Sequence, residues 1–177
     1  VELKPGVRLI SIVPRGAIIR PPTGTAAAVQ ALDAAGAAVI GFRIIGGNTT
    51  AAGILVAGGA ISIADVEVTG MTRAAIELDS RDETNVVGCD VHDNEGSALV
   101  LHTASKSRVA HCTFGSNGTT KTPAVRLEVG VSAQLTRNTF QSAAAAITDL
   151  FPVAMRAELA RDNTFAPAKP ATPAQRG

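Results

Sequence analysis

Tryptophan and tyrosine are absent from this chain, and five phenylalanines are its only aromatic side chains. The core must then be built from Val, Ile, Leu and Ala, which suit thin stacked layers better than one thick globule, and the aromatic platforms on which neutral sugars usually stack are scarce. Charge of one sign is also lacking. The net charge is +1, which leaves no electrostatic footprint for nucleic acid or an anionic membrane surface. Two cysteines cannot make a disulfide framework or fix a redox compartment. The longest largely apolar run, residues 51–64, is interrupted by Gly53, Gly58, Gly59 and Ser62. It falls short of the roughly 20 residues a spanning helix needs, so no membrane insertion is expected. The opening Val1-Glu2-Leu3-Lys4-Pro5 has no apolar signal region, as expected either of a protein that is not exported or of a piece of something longer.

What is present is a β-branched, small-residue chain with 46% apolar residues, enough to bury a core and to exclude disorder. Its organising stretch is residues 86–117. Val86-Val87-Gly88-Cys89-Asp90-Val91-His92-Asp93-Asn94 returns 23 residues later as Val109-Ala110-His111-Cys112-Thr113-Phe114-Gly115-Ser116-Asn117. From there a register extends both ways through Ile44, Val68, Val91, Phe114, Phe140 and Phe165, with spacings of 24, 23, 23, 26 and 25. Each coil also carries an earlier alternating strand: Val29/Ala31, Ile54/Val56, Ile76/Leu78, Leu99/Leu101, Val125/Leu127 and, less cleanly, Ile147. Two strands and a short third per coil is the repeat of a single-stranded right-handed parallel β-helix, all-β, with about 6–7 coils of ~23–26 residues and rungs ~4.8 Å apart. Helical periodicity is confined to a turn or two over Met155 to Leu159.

Residues 1–166 are expected to form this β-helix domain. Insertions fall at Gly118 to Pro123 and at Asp149 to Val153, and residues 167–177 read as a Pro/Ala-rich linker or tail. A strand that begins almost at residue 1 leaves an open edge with no visible cap, which favours a domain of a larger protein and allows oligomerisation through open solenoid ends.

The segments Gly41-Phe42-Arg43-Ile44, Val86 to Asn94 and Leu135-Thr136-Arg137-Asn138-Thr139-Phe140 resemble the parallel β-helix repeats of the pectate-lyase-like superfamily, over roughly residues 26 to 166. More weakly, Leu3-Lys4-Pro5-Gly6-Val7-Arg8-Leu9 and Val13-Pro14-Arg15-Gly16-Ala17 resemble β-helix domains appended to bacterial serine/threonine protein kinases. That resemblance implies a kinase outside this chain, because no Gly-rich phosphate loop, His-Arg-Asp or Asp-Phe-Gly segment occurs in it. No compartment is fixed by the sequence; an extracytoplasmic setting, as part of a larger bacterial protein, is favoured.

In a solenoid, chemistry is read down columns. The first is Phe42, Val66, Cys89, Cys112, Asn138 and Asn163, expected to be a structural ladder at a turn, with the thiols stacked or bonded. The second, Phe114, Phe140 and Phe165, is expected to be core. The third gives the catalytic candidates: Asp79, His102 and Glu128 each follow the last inward residue of their strand. One rung of separation would let them do acid/base chemistry. With Glu77 and Arg126 beside them they form the candidate ligand-binding set; ordinary solvated ion pairs are the plainer expectation. The fourth set, Asp90, His92, Asp93 and His111, is not expected to converge, because Asp90 stacks over Thr113 and His92 over Gly115.

Three functions remain. One is a polysaccharide lyase or glycoside hydrolase acting through Asp79, His102 and Glu128, although no Asn-Thr-Asp, Asp-Asp or Arg-Ile-Lys segment and no Arg-x-Pro-x-x-Arg run supports it. The second is a non-catalytic accessory or sensor-like module that binds a glycan, protein or peptide on a lateral face. The third is a structural spacer. No metal and no cofactor is expected. The second reading is favoured.

Overall fold

The computed structural model describes residues 1–102, 104–118, 124–128, 130–141 and 159–166. All ladder pairings among them are parallel; most fall at the expected repeat, whereas the first coil is longer, as in Glu2 with Gln30 and Arg8 with Ala38, and the long strands shorten it, as in Thr50 with Met71. The chain winds through three sheet faces per turn. One face is a six-stranded sheet of Arg8–Ile10, Ala38–Ile40, Ser62–Ala64, Thr84–Val87, Lys106–Ala110 and Ser132–Thr136. The second carries the register Ile19, Ile44, Val68, Val91, Phe114, Phe140, Phe165. The third carries Ala31, Val56, Leu78, Leu101 and Leu127. Two strands, Phe42–Ala57 and Glu67–Asp79, run through the corner between the second and third faces without a break. The expected all-β parallel solenoid is the observed one.

Period-2 alternation explains the core. Val39, Ile63, Val86, Val109 and Leu135 turn inward from the first face and meet the columns of the other two in one continuous apolar interior. Phe114, Phe140 and Phe165 stack within it, with centroids 5.1 and 5.2 Å apart. The corner after the six-stranded sheet is built from left-handed residues: Arg15, Gly41, Asp65, Gly88, His111 and Arg137, one per coil. Each corner amide from Gly41 to His111 donates to the last strand carbonyl of the following rung, as in Asp65 to Val87 and Gly88 to Ala110, so the ladder continues around the bend.

The corner before the third face depends on Gly96. A Cβ there would lie 2.1 Å from the Arg73 carbonyl oxygen, a backbone atom that cannot rotate away. Gly96→Ala is therefore expected to destabilise the fold by about 2–3 kcal/mol, measured by urea unfolding, the overpacking cost of a rigid neighbour.

The expected strand at Ile147, the irregular segment Asp149 to Val153, the tail 167–177 and all but Gly118 of the insertion lie outside the described residues. So does Met155 to Glu158; residues 159–162 are helical. No helix among the described residues is long and apolar enough to cross a membrane. The first coil exposes Val7, Ile10, Ile12, Val13 and Ile18.

Candidate functional site

Backbone register brings Leu78, Leu101 and Leu127 into one column, so Asp79, His102 and Glu128 do follow each other rung by rung. The ladder extends one residue past the strands, with His102 N–H donating to Leu78 O and Glu128 N–H to Leu101 O, both at 2.9 Å. The side chains, however, do not form the expected set. Asp79 is exposed and has no partner among the described residues. The His102 ring instead reaches diagonally to Glu77, with Nε2 2.8 Å from Oε1, while Nδ1 lies 3.2 Å from Glu128 Oε1. Val100, directly over Glu77 in register, has no polar group, which leaves the Glu77 carboxylate to the histidine.

Glu77 is only 7% exposed despite its charge. Two charged groups face it: the His102 ring, and Arg73, whose Nη2 is 2.6 Å from Oε2 as an ion-pair contact that leaves Oε2 without a hydrogen bond. Arg126 adds a 3.4 Å contact to Glu128. Of the five expected ligand-binding residues, the structure joins Glu77, His102, Arg126 and Glu128 and leaves Asp79 apart. Both ring nitrogens of His102 face carboxylates. Only the doubly protonated ring can donate to both at once; the neutral ring donates one bond. Hydrolysis of a glycoside needs a sugar between two carboxyls. Here an imidazole occupies the space between them and touches both.

In the first column Cys89 and Cys112 are free thiols, each 1% exposed. Their mutual hydrogen bond, together with burial, holds the Cys89 thiol well above its ordinary value. The same bond favours ionisation of Cys112 and moves it down. With no solvent access, neither is positioned as a nucleophile. Below them, Asn138 Oδ1 accepts the Cys112 N–H at 2.9 Å and Asn163 Oδ1 accepts the Asn138 N–H at 3.0 Å. A second ladder joins Asn94 to Asn117 at another corner, with Asn94 Oδ1 accepting the Met71 N–H at 2.9 Å.

The fourth set has the expected register, Asp90 over Thr113 and His92 over Gly115. Its contacts run elsewhere. Arg15 lies 3.5 Å from Asp90 and 3.1 Å from Asp65, and donates to Gly88 O, so one guanidinium ties the first coil to the two rungs beyond the next. His92 meets Asp93 at 2.8 Å and, loosely, Glu67 at 3.8 Å, whereas His111 stands exposed at the corner. Among the described residues no group of three His, Cys, Asp or Glu side chains is arranged to hold a metal ion.

The outer surface of the six-stranded sheet contains two open depressions. One, of about 280 Å³, is lined by Arg8, Ser62, Glu83 and Asn85 among others. The other, of about 480 Å³, is lined by Asn85, Arg108, Thr136 and Arg137, over a floor that includes Val87 and Ala110. Column reading does not find the larger one, since Arg108 is a strand residue and Arg137 a corner residue. The available signal is the outward register of Asn85 with Arg108.

Comparison with curated proteins and with solved structures gives no match. Residues 27–166 match the family described as the right handed beta helix region, and with the parallel solenoid in place the chain belongs to that family.

Proposed function

We infer that the chain is a non-catalytic binding module, an accessory or sensor-like β-helix of a larger bacterial protein that presents a lateral face to a glycan, protein or peptide. The observation that carries this reading is the closed state of the candidate acid/base cluster. Glu77 and Glu128 are both turned onto His102, and arginines sit on each of them. A substrate would have to displace contacts that compensate a buried carboxylate. Meanwhile the six-stranded face offers open, polar-lined depressions on a rigid scaffold. The exposed apolar residues of the first coil support packing against a neighbouring part of a parent protein. The weak kinase-associated resemblance of the opening segments is consistent with such a parent.

The test is turnover. Purified protein incubated with uronate polymers and neutral polysaccharides is expected to release no new reducing or unsaturated ends, and His102→Ala is expected to change nothing in that assay. Turnover that disappears in His102→Ala would restore the lyase or hydrolase reading.

A further inference from the structure

Among the described residues, several arginines have carboxylate partners and several do not, and two of the unpaired ones share one depression. Arg15, Arg43, Arg73 and Arg126 each lie within 4.0 Å of a carboxylate. Arg108 and Arg137 have no ion-pair or hydrogen-bond partner for their side chains, yet both border the same depression of about 480 Å³. His111 lines it as well, and no carboxylate does. The neighbouring depression is lined by a single arginine, Arg8, and by a carboxylate, Glu83.

The floor is also specific. Ala110 follows inward Val109 and therefore faces outward, yet it is only 5% exposed, while Val87 in the preceding rung is 39% exposed. A small apolar floor thus lies under two uncompensated guanidinium groups, with the Asn85 amide and the Thr136 hydroxyl alongside. The volume is within the range of small-molecule sites, roughly 300–1,000 Å³. Guanidinium groups match oxyanions in planar, two-pronged geometry, and an apolar floor takes the carbon body of such a ligand.

We propose that this depression is a binding site for a small organic oxyanion, a phosphate monoester or a carboxylate, held by Arg108 and Arg137 with its carbon body on Val87 and Ala110. The proposal rests on the binding-module reading and gives it a ligand class. A protein with no net charge bias gains a local cationic site by bringing two unpaired arginines to one depression that no carboxylate lines.

The experiment is an amide NMR titration of the full chain, at constant ionic strength, with phenyl phosphate, benzoate and inorganic phosphate as probes. Saturable shifts are expected on the amides of Ala110, His111, Thr136 and Arg137. Phenyl phosphate or benzoate should bind more tightly than inorganic phosphate, because only they use the floor. Preference between those two identifies the phosphoryl or the carboxylate source. Arg108→Ala is expected to weaken binding about tenfold, the loss of one charge-assisted contact, and Arg108→Ala with Arg137→Ala to abolish it. Arg43→Ala, on another face, should leave it unchanged. Both lining arginines are exposed, so the variants are expected to melt with the parent; Arg108→Gln serves if one does not. Shifts spread over every cationic surface, or saturable binding retained in the double variant, overturn the site. In that case a glycan or peptide bound elsewhere on the face leaves the module reading intact. Polymer turnover by the same preparation overturns the module reading while the anion titration stands or falls separately.

Discussion

Replacing Asn138 by alanine is expected to lower the unfolding free energy by about 3–5 kcal/mol, the largest loss from any single polar substitution in this chain. Asn138 is fully buried. Its Oδ1 accepts the Cys112 N–H, and its Nδ2 donates to Val109 O at 3.0 Å and to Asn163 Oδ1 at 2.9 Å. Alanine leaves the amide and the carbonyl without partners in an apolar interior, and each orphaned group costs about 1–3 kcal/mol. Of the small side chains, only a carboxamide supplies both an acceptor and two donors at this size. For a domain of this length the loss corresponds to a fall in Tm of roughly 10 °C, measured by calorimetry. A fall below about 2 °C would mean that the ladder contributes nothing to holding the rungs.

The second large effect is expected at Phe140. Its ring is fully buried between Phe114 and Phe165, nearly parallel to both, with interplanar angles of 16° and 17°. Phe140→Ala removes both stacking partners and opens a cavity that adjacent rungs cannot close without breaking backbone ladders. The expected cost is about 3–5 kcal/mol in urea unfolding. Phe140→Leu should recover most of it, since burial rather than stacking supplies the larger share; offset stacking adds only about 0.5–1.5 kcal/mol per pair. If leucine proves as damaging as alanine, ring stacking rather than volume is what the last coils require.

The solenoid was legible in the sequence because its interior is a one-dimensional repeat. The Phe114, Phe140 and Phe165 column and the column of Cys89, Cys112, Asn138 and Asn163 follow directly from equal positions in consecutive coils. The exterior was less legible for a physical reason. Register fixes the backbone, but long outward side chains choose partners diagonally. Asp79 and Glu77 differ only in which neighbour leaves room, and the apolar Val100 over Glu77 lets His102 lean back to it. The continuous strands through the corner at Phe42–Ala57 and Glu67–Asp79 were also not evident, since two short strands per coil were expected and glycines lie along both segments. The Asn94 and Asn117 ladder was visible as the last position of the frame without its role being apparent. The cationic depression lies beyond column reading altogether: Arg108 and Arg137 occupy different repeat positions, and that they border one depression with no carboxylate in its lining is revealed only by the three-dimensional arrangement.

We propose that Glu77, His102 and Glu128 hold the solenoid together rather than act on a substrate. A double-mutant cycle of Glu77→Ala and His102→Ala in urea tests it most directly. A coupling of about 0.5–3 kcal/mol is predicted, the range for residues in one hydrogen-bond or ion-pair network, with no polymer turnover in any of the four proteins. Additivity within about 0.5 kcal/mol, together with turnover in the parent that either substitution abolishes, would contradict it.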